Sequence, residues 1–149
     1  MSLEEIVKTV KARGDATCGA GASAATIAAA EERLGVKLPA VLTEYLRRLG
    51  WLDVGSEEFY GLGDDVPSHL SLVENAVWER EQSGCPVPRH LIPIYNDGFG
   101  NIACVDVEDP RGRIAFWDHD QGEDQEPEEA ASSLDAWLSD MIAELDDES

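Results

Sequence analysis

Between Pro88 and Asp120 the chain reads PRHLIPIYNDGFGNIACVDVEDPRGRIAFWDHD, and this stretch constrains the fold more than any other. Three runs, His90–Tyr95, Ile102–Val107 and Ile114–Trp117, are rich in Ile, Val, Tyr, Phe and Trp and have strand length. Asn96-Asp97-Gly98-Phe99-Gly100-Asn101 joins the first two, with two glycines able to take positive φ. Asp109-Pro110-Arg111-Gly112 joins the second and third, and Asp at i, Pro at i+1 and Gly at i+3 suit a type I turn. Strands separated by connections this short pair antiparallel, so the segment is a meander and not a βαβ nucleotide-binding unit.

Around the meander the pattern is helical. Ser2-x-x-Glu5 is a capping box, followed by a stripe of Leu3, Ile6, Val7 and Val10. Residues 14–23 read as a small-residue loop, and an Ala-rich helix runs from Ser23 to Leu34, stopped by Gly35. Pro39 suits the first turn of a third helix, whose stripe is Leu42, Tyr45, Leu46 and Leu49 and which Gly50 ends. Residues 51–69 read as irregular, with one strand candidate near Glu58–Leu62. Ser71-x-x-Glu74 opens another helix with an expected apolar face of Val73, Ala76 and Val77. Asp120–Glu129 reads as an exposed acidic loop. A final helix follows Ser132 or Ser133, with Leu134, Trp137, Leu138, Met141 and Leu145 at helical spacing, and residues 146–149 are expected to fray. The expectation is α+β: residues 1–149 form a single domain with an antiparallel sheet of about four to six strands flanked by short amphipathic helices. At 149 residues the chain can bury a core without staples.

These residues also carry a family resemblance. Glu31-Glu32-Arg33-Leu34-Gly35-Val36-Lys37-Leu38-Pro39 precedes a helix ending Leu49-Gly50-Trp51; Phe59-Tyr60-Gly61-Leu62 follows, then the meander, then the terminal helix around Ser132-Ser133-Leu134-Asp135-Ala136-Trp137-Leu138. Taken in this order, over roughly residues 20–142, the set resembles the SUKH superfamily, the Smi/Knr-type domain. The resemblance implies a non-catalytic binding protein. Bacterial members are typically immunity proteins that neutralise a polymorphic toxin, often a nuclease; fungal members are regulators of cell-wall synthesis that act as scaffolds. It implies no shared catalytic residues.

Charge is the second strong fact. Thirty-one acids against eleven bases give −20. Residues 1–113 carry −7, with eleven bases against eighteen acids, and the last 36 residues carry −13, with thirteen acids between Asp118 and Glu148 and no Lys or Arg. Such a field repels nucleic acid and anionic membranes and favours basic proteins. Acidity that only maintains solubility is the competing reading of the charge. Taken together with the toxin partner that the family resemblance implies, the charge makes the expected partner a basic protein toxin of nuclease type, approached by a monomer or weak dimer; the alternative is a signalling or scaffold module without a toxin partner. Asp97, Asp118, Asp120, Glu123 and Asp124 are the candidate contact acids, brought to one end of the meander if Asp97 closes its first strand and Asp118 its third. Trp51, Tyr60 and Trp117 are candidate aromatic contacts, with core packing the competing role for each.

Catalytic signatures are missing from the sequence. Gly19-Ala20-Gly21-Ala22-Ser23-Ala24 spells G-x-G-x-x-A, but no apolar strand precedes it, and a flexible loop entering a Ser-capped helix is the better reading. The acids of 118–124 do not match a calcium-loop spacing. His69, His90 and His119 are scattered, and no G-x-S-x-G or H-E-x-x-H occurs. Cys18, Cys85 and Cys104 form no C-x-x-C pair, so neither a disulfide framework nor a zinc site is expected. The expectations are no cofactor, no metal and no enzymatic activity. No apolar run reaches membrane-spanning length and the N-terminus lacks a signal-peptide pattern, so a cytoplasmic, reduced setting is expected.

Overall fold

The computed structural model describes residues 1–147; the outer part of the expected frayed tail, residues 148 and 149, lies outside the described residues. Helix α1 (Leu3–Ala12) begins where Ser2 and Glu5 exchange hydrogen bonds: Ser2 Oγ accepts from the Glu5 N–H at 3.2 Å, and Glu5 Oε1 accepts from the Ser2 N–H at 3.3 Å. Ser23 caps α2 (Ala24–Leu34), which stops at Gly35, whose φ of 72° is the left-handed exit that glycine permits. Pro39 leads into α3 (Ala40–Arg48), with Leu42, Tyr45 and Leu46 buried. Ser71 caps α4 (Leu72–Glu81), and α5 (Leu134–Asp147) closes the described chain.

Two sheets lie among these helices. The smaller has three strands, β1 (Ala16–Cys18), β2 (Leu52–Val54) and β3 (Glu57–Phe59), in that order and antiparallel. This corrects three expectations: residues 14–23 are not wholly loop, 51–69 contains two strands, and the strand expected near Glu58–Leu62 begins and ends earlier. Strands of three residues carry no readable alternation. They exist because Ala16 finds Val54 and Leu52 finds Phe59 across the sheet.

The larger sheet is the meander, β4 (Leu91–Asn96), β5 (Asn101–Asp106), β6 (Ile114–Asp118) and β7 (Glu128–Ala131), ordered consecutively. Ile92 pairs with Val105 and Cys104 with Ala115, as strands at the expected positions require. The second turn closes with the Gly112 N–H donating to Asp109 O at 2.9 Å, the i to i+3 bond of the expected turn. The fourth strand was not expected. Its sequence, Glu-Glu-Ala-Ala, is poor in strand formers, and it is extended because the open edge of β6 supplies a ladder. Of the expected acidic loop, His119–Gln121 is a 3-10 turn and Glu128 and Glu129 belong to β7.

Both faces of the meander are buried, which is why its strands read as continuous apolar runs. Ile92, Ile94, Ala103, Val105 and Ile114 join the main core with α1, α2, α3 and α5. Leu91, Ile102, Cys104, Ala115 and Trp117 face a second core closed by Cys85 and Val87. The buried face of α4 consists of Leu72, Ala76 and Glu79; of the expected trio, Ala76 is buried, Val73 packs partly buried against the main core, and Val77 is half-buried. Glu79 is drawn inward by His119, whose Nε2 shares a 2.8 Å hydrogen bond with Glu79 Oε1.

Candidate functional site

The β4–β5 connection is organised chiefly by one carboxylate, beside Asn96 Oδ1, which accepts from the Gly98 N–H at 2.8 Å. Asp97 Oδ1 accepts from the Phe99 N–H at 2.7 Å and the Asn101 N–H at 3.2 Å, and Oδ2 accepts from the Asn101 amide at 2.9 Å. Partial burial alone would raise this carboxyl, but the three donors outweigh it and hold Asp97 below the usual carboxylate range. The loop so fixed presents Phe99 at 87% exposure, between Gly98 and Gly100, which both have positive φ. An aromatic ring standing in water costs burial that the fold elsewhere secures for nearly every large apolar side chain; only Met1 and Trp78 join it as exposed large hydrophobics among the described residues.

Asp118 lies beside this loop. It pairs with Asn101 across β5 and β6, and the next N–H, that of His119, donates to Gly100 O at 3.1 Å. The meander thus brings Asp97, Asp118 and Asp120 to one end. Asp118 has a local role as well, accepting from the Asp120 N–H at 2.9 Å and from the Gln121 amide at 3.2 Å. Asp120, Glu123 and Asp124 are exposed and their carboxylates accept no hydrogen bonds from described residues.

Beyond the expected acids, the edge strand β7 extends the charged face. Phe116 and Glu128 are shared by two adjoining grooves. One, about 320 Å³, also takes in Asp118 and Glu126. The other, about 440 Å³, takes in Glu129 and reaches Asp140 and Glu144 on α5. The density of acids here is legible in the sequence; the exposure of Phe99 and the meeting of β7 with α5 in one surface are not. The available signal for Phe99 was an aromatic placed between two turn glycines, outside any strand alternation.

The three aromatic candidates do not lie on this surface. Trp117 is 1% exposed and donates from Nε1 to Cys85 O at 3.1 Å inside the second core. Tyr60 is buried, and that burial, with the charge of Glu79, pushes its hydroxyl up to about 12. Trp51 is buried and held by Asp65, which accepts from its Nε1 at 3.1 Å and from the Ala20 N–H at 2.9 Å. As placed, these rings pack the fold and offer a partner no open face. Close packing explains both glycines of the G-x-G-x-x-A sequence: a Cβ on Gly19 would stand 2.5 Å from Trp51 Nε1, and one on Gly21 would stand 2.1 Å from Arg47 O. This segment is a close-packed strap and not the flexible loop expected.

His119 turns toward Glu79 and away from the acids of 118–124. Among the described residues no group of three or more His, Cys, Asp or Glu is arranged to hold a metal ion, and no helix is long and apolar enough to cross a membrane. Cys104 is fully buried, and burial followed by the nearby charge of Glu79 raises its thiol well above the ordinary value.

Among the described residues, five α-helices with a three-stranded and a four-stranded antiparallel sheet define a single α+β domain. The chain belongs to the SUKH family, whose model, described as SMI1-KNR4 cell-wall, matches residues 3–143. It is similar to the SPbeta prophage-derived uncharacterized protein YokK of Bacillus subtilis (strain 168), 39% identical over 64 residues, which is 43% of this chain. That match spans only 29% of the Bacillus protein. It is also similar to a protein of Pseudomonas syringae pv. tomato known from a crystal structure, with a TM-score of 0.61, 25% identity, and coverage of 78% of this chain and 83% of that one.

Proposed function

We propose that this protein is an immunity protein that neutralises a basic, nuclease-type toxin by covering its substrate-binding surface, acting through binding and not catalysis, in the cytoplasm. The observation that carries the reading is the acidic end of the meander with Phe99 projecting from it. A nuclease must present cations to bind phosphates, and a carboxylate-rich surface competes for the same cations. Desolvating an exposed ring in the centre of such a contact supplies the short-range affinity that charge alone lacks, because exposed ion pairs contribute little once screened. Membership of the family, whose bacterial representatives are typically immunity proteins, supports the reading.

The test separates steering from anchoring. The toxin to use is the product of the gene adjacent to this one, purified in an inactive form. Asp120→Asn, Glu123→Gln and Asp124→Asn, combined, should slow association and flatten its salt dependence, since screening acts over ~8–10 Å at moderate ionic strength. Phe99→Ala should leave the association rate near wild type and speed dissociation by about tenfold or more. Unchanged rates in both variants would reject this surface. Failure of the wild-type protein to protect cells expressing the active toxin would reject the immunity reading itself.

A further inference from the structure

Away from the acidic end lies a groove of opposite character. It runs between the end of α2, the last turn of α4 and the segment before β4, has a volume of about 520 Å³, and is lined by Arg33, Arg80 and Arg89 with Val77, Val87 and Pro88 as apolar walls. In a chain with nearly three acids per base, arginines have no shortage of partners. Six of the eight make an ion pair with a carboxylate, Arg13, Arg33, Arg47, Arg48, Arg111 and Arg113. Arg80 and Arg89 alone make none with any described residue, and both line this groove.

Arg80 is held in place by neutral groups only. Its Nη1 donates to Leu34 O at 3.0 Å and its Nη2 to Arg89 O at 3.1 Å. Its Nε is buried and meets no acceptor. Burial, and then the neighbouring charge of Arg89, press the Arg80 guanidinium below its ordinary value, and the charge of Glu81 offsets this only in part. Arg89 passes over Gly35, where a Cβ would stand 2.7 Å from its Nη2, so the left-handed helix stop also makes room for this side chain. Arg33 reaches Glu74 only at 3.7 Å with both groups exposed, and Glu81, on the rim, forms no ion pair with the three arginines. Hydrogen bonds to carbonyls fix Arg80, but they leave the second cation and the buried Nε unexplained.

We propose that this groove is a binding site for a small phosphate monoester, its phosphate taken by Arg80 and Arg89 with Arg33 at the rim. Two guanidiniums without ion pairs match a group carrying about −1.5 to −2 charge at neutral pH, and their forked donors suit its oxygens. The volume and the Val and Pro walls suit a ligand with a compact apolar body. The net charge of −20 excludes a polyanion: a nucleic acid or acidic protein would meet the repulsion of the whole molecule, whereas a small ligand lies within the local positive zone.

Thermal unfolding of the full chain, read at constant ionic strength, tests this. Phenyl phosphate should raise the midpoint by about 3–5 °C over sodium chloride at ten times its dissociation constant. Benzoate should raise it much less. Arg89→Gln, which removes a side chain with no hydrogen bond or ion pair of its own, should weaken phenyl phosphate at least about tenfold while leaving the ligand-free midpoint near wild type. Arg80→Gln should do the same at the cost of some stability, and if it does not fold, Arg89→Gln alone decides. No phosphate-specific shift, an equal shift with benzoate, or a shift that survives Arg89→Gln would each overturn the site.

Discussion

The loop that presents Phe99 hangs on Asp97, and its removal has a calculable effect. Asp97→Asn keeps the size of the side chain but removes the charge and one acceptor oxygen, so at most part of the three-donor arrangement survives. Bonds to a charged acceptor contribute about 1.5–3 kcal/mol when dry, but these donors sit at a loop where water can replace the carboxylate, so the discounted loss is about 1–2 kcal/mol in total, similar to a helix cap. For a chain of this size that lowers the thermal midpoint by about 2–8 °C. The pH dependence gives the sharper check. The folded carboxyl is held low, so its contribution is complete above the unfolded value near ~4 and is lost as pH falls through the depressed folded value. Urea denaturation of wild type and Asp97→Asn at pH 7 and again near pH 3 should therefore show a gap that narrows on acidification. A gap of the same size at both pH values, or none at pH 7, would refute the assignment of the charged carboxylate as organiser of the loop.

Other changes have defined outcomes. Tyr45→Phe removes a buried hydroxyl that donates to Tyr60 O at 3.0 Å and should cost about 1–2 kcal/mol in urea denaturation. Gly61→Ala should abolish the native fold or cost more than about 3 kcal/mol, because the new Cβ would stand 1.7 Å from Gly50 O, whereas Gly14→Ala, with nothing within 4 Å, should fold normally by circular dichroism. Glu79→Ala should destabilise by about 2–3 kcal/mol, since it opens a cavity in α4 and deprives His119 of its buried partner. Chelator treatment should leave the thermal midpoint unchanged; a fall of several degrees would mean that the 118–124 acids hold a structural cation.

What the sequence determined by itself was whatever is decided within a few residues. Ser2 with Glu5, Ser23, Gly35 and the Asp109–Gly112 turn act on neighbours three to five positions away, so the helix starts, one helix stop and a hairpin could be read directly. Meander topology then carried Asp97 and Asp118 to one end, because alternate strand ends in an antiparallel sheet coincide. Tertiary structure alone decided the rest. β1 and β7 are strands only because distant edges, at Val54 and Phe116, offer them backbone partners. Trp51, Tyr60 and Trp117 went inside because straps and loops from elsewhere closed over them, whereas Phe99, no less apolar, was left outside by a turn with nothing packed above it. Arg33 is far along the chain from Arg80 and Arg89, and the three meet only because α2, α4 and the approach to β4 converge. Burial and charge pairing are properties of that convergence, and no local pattern of residues encodes them.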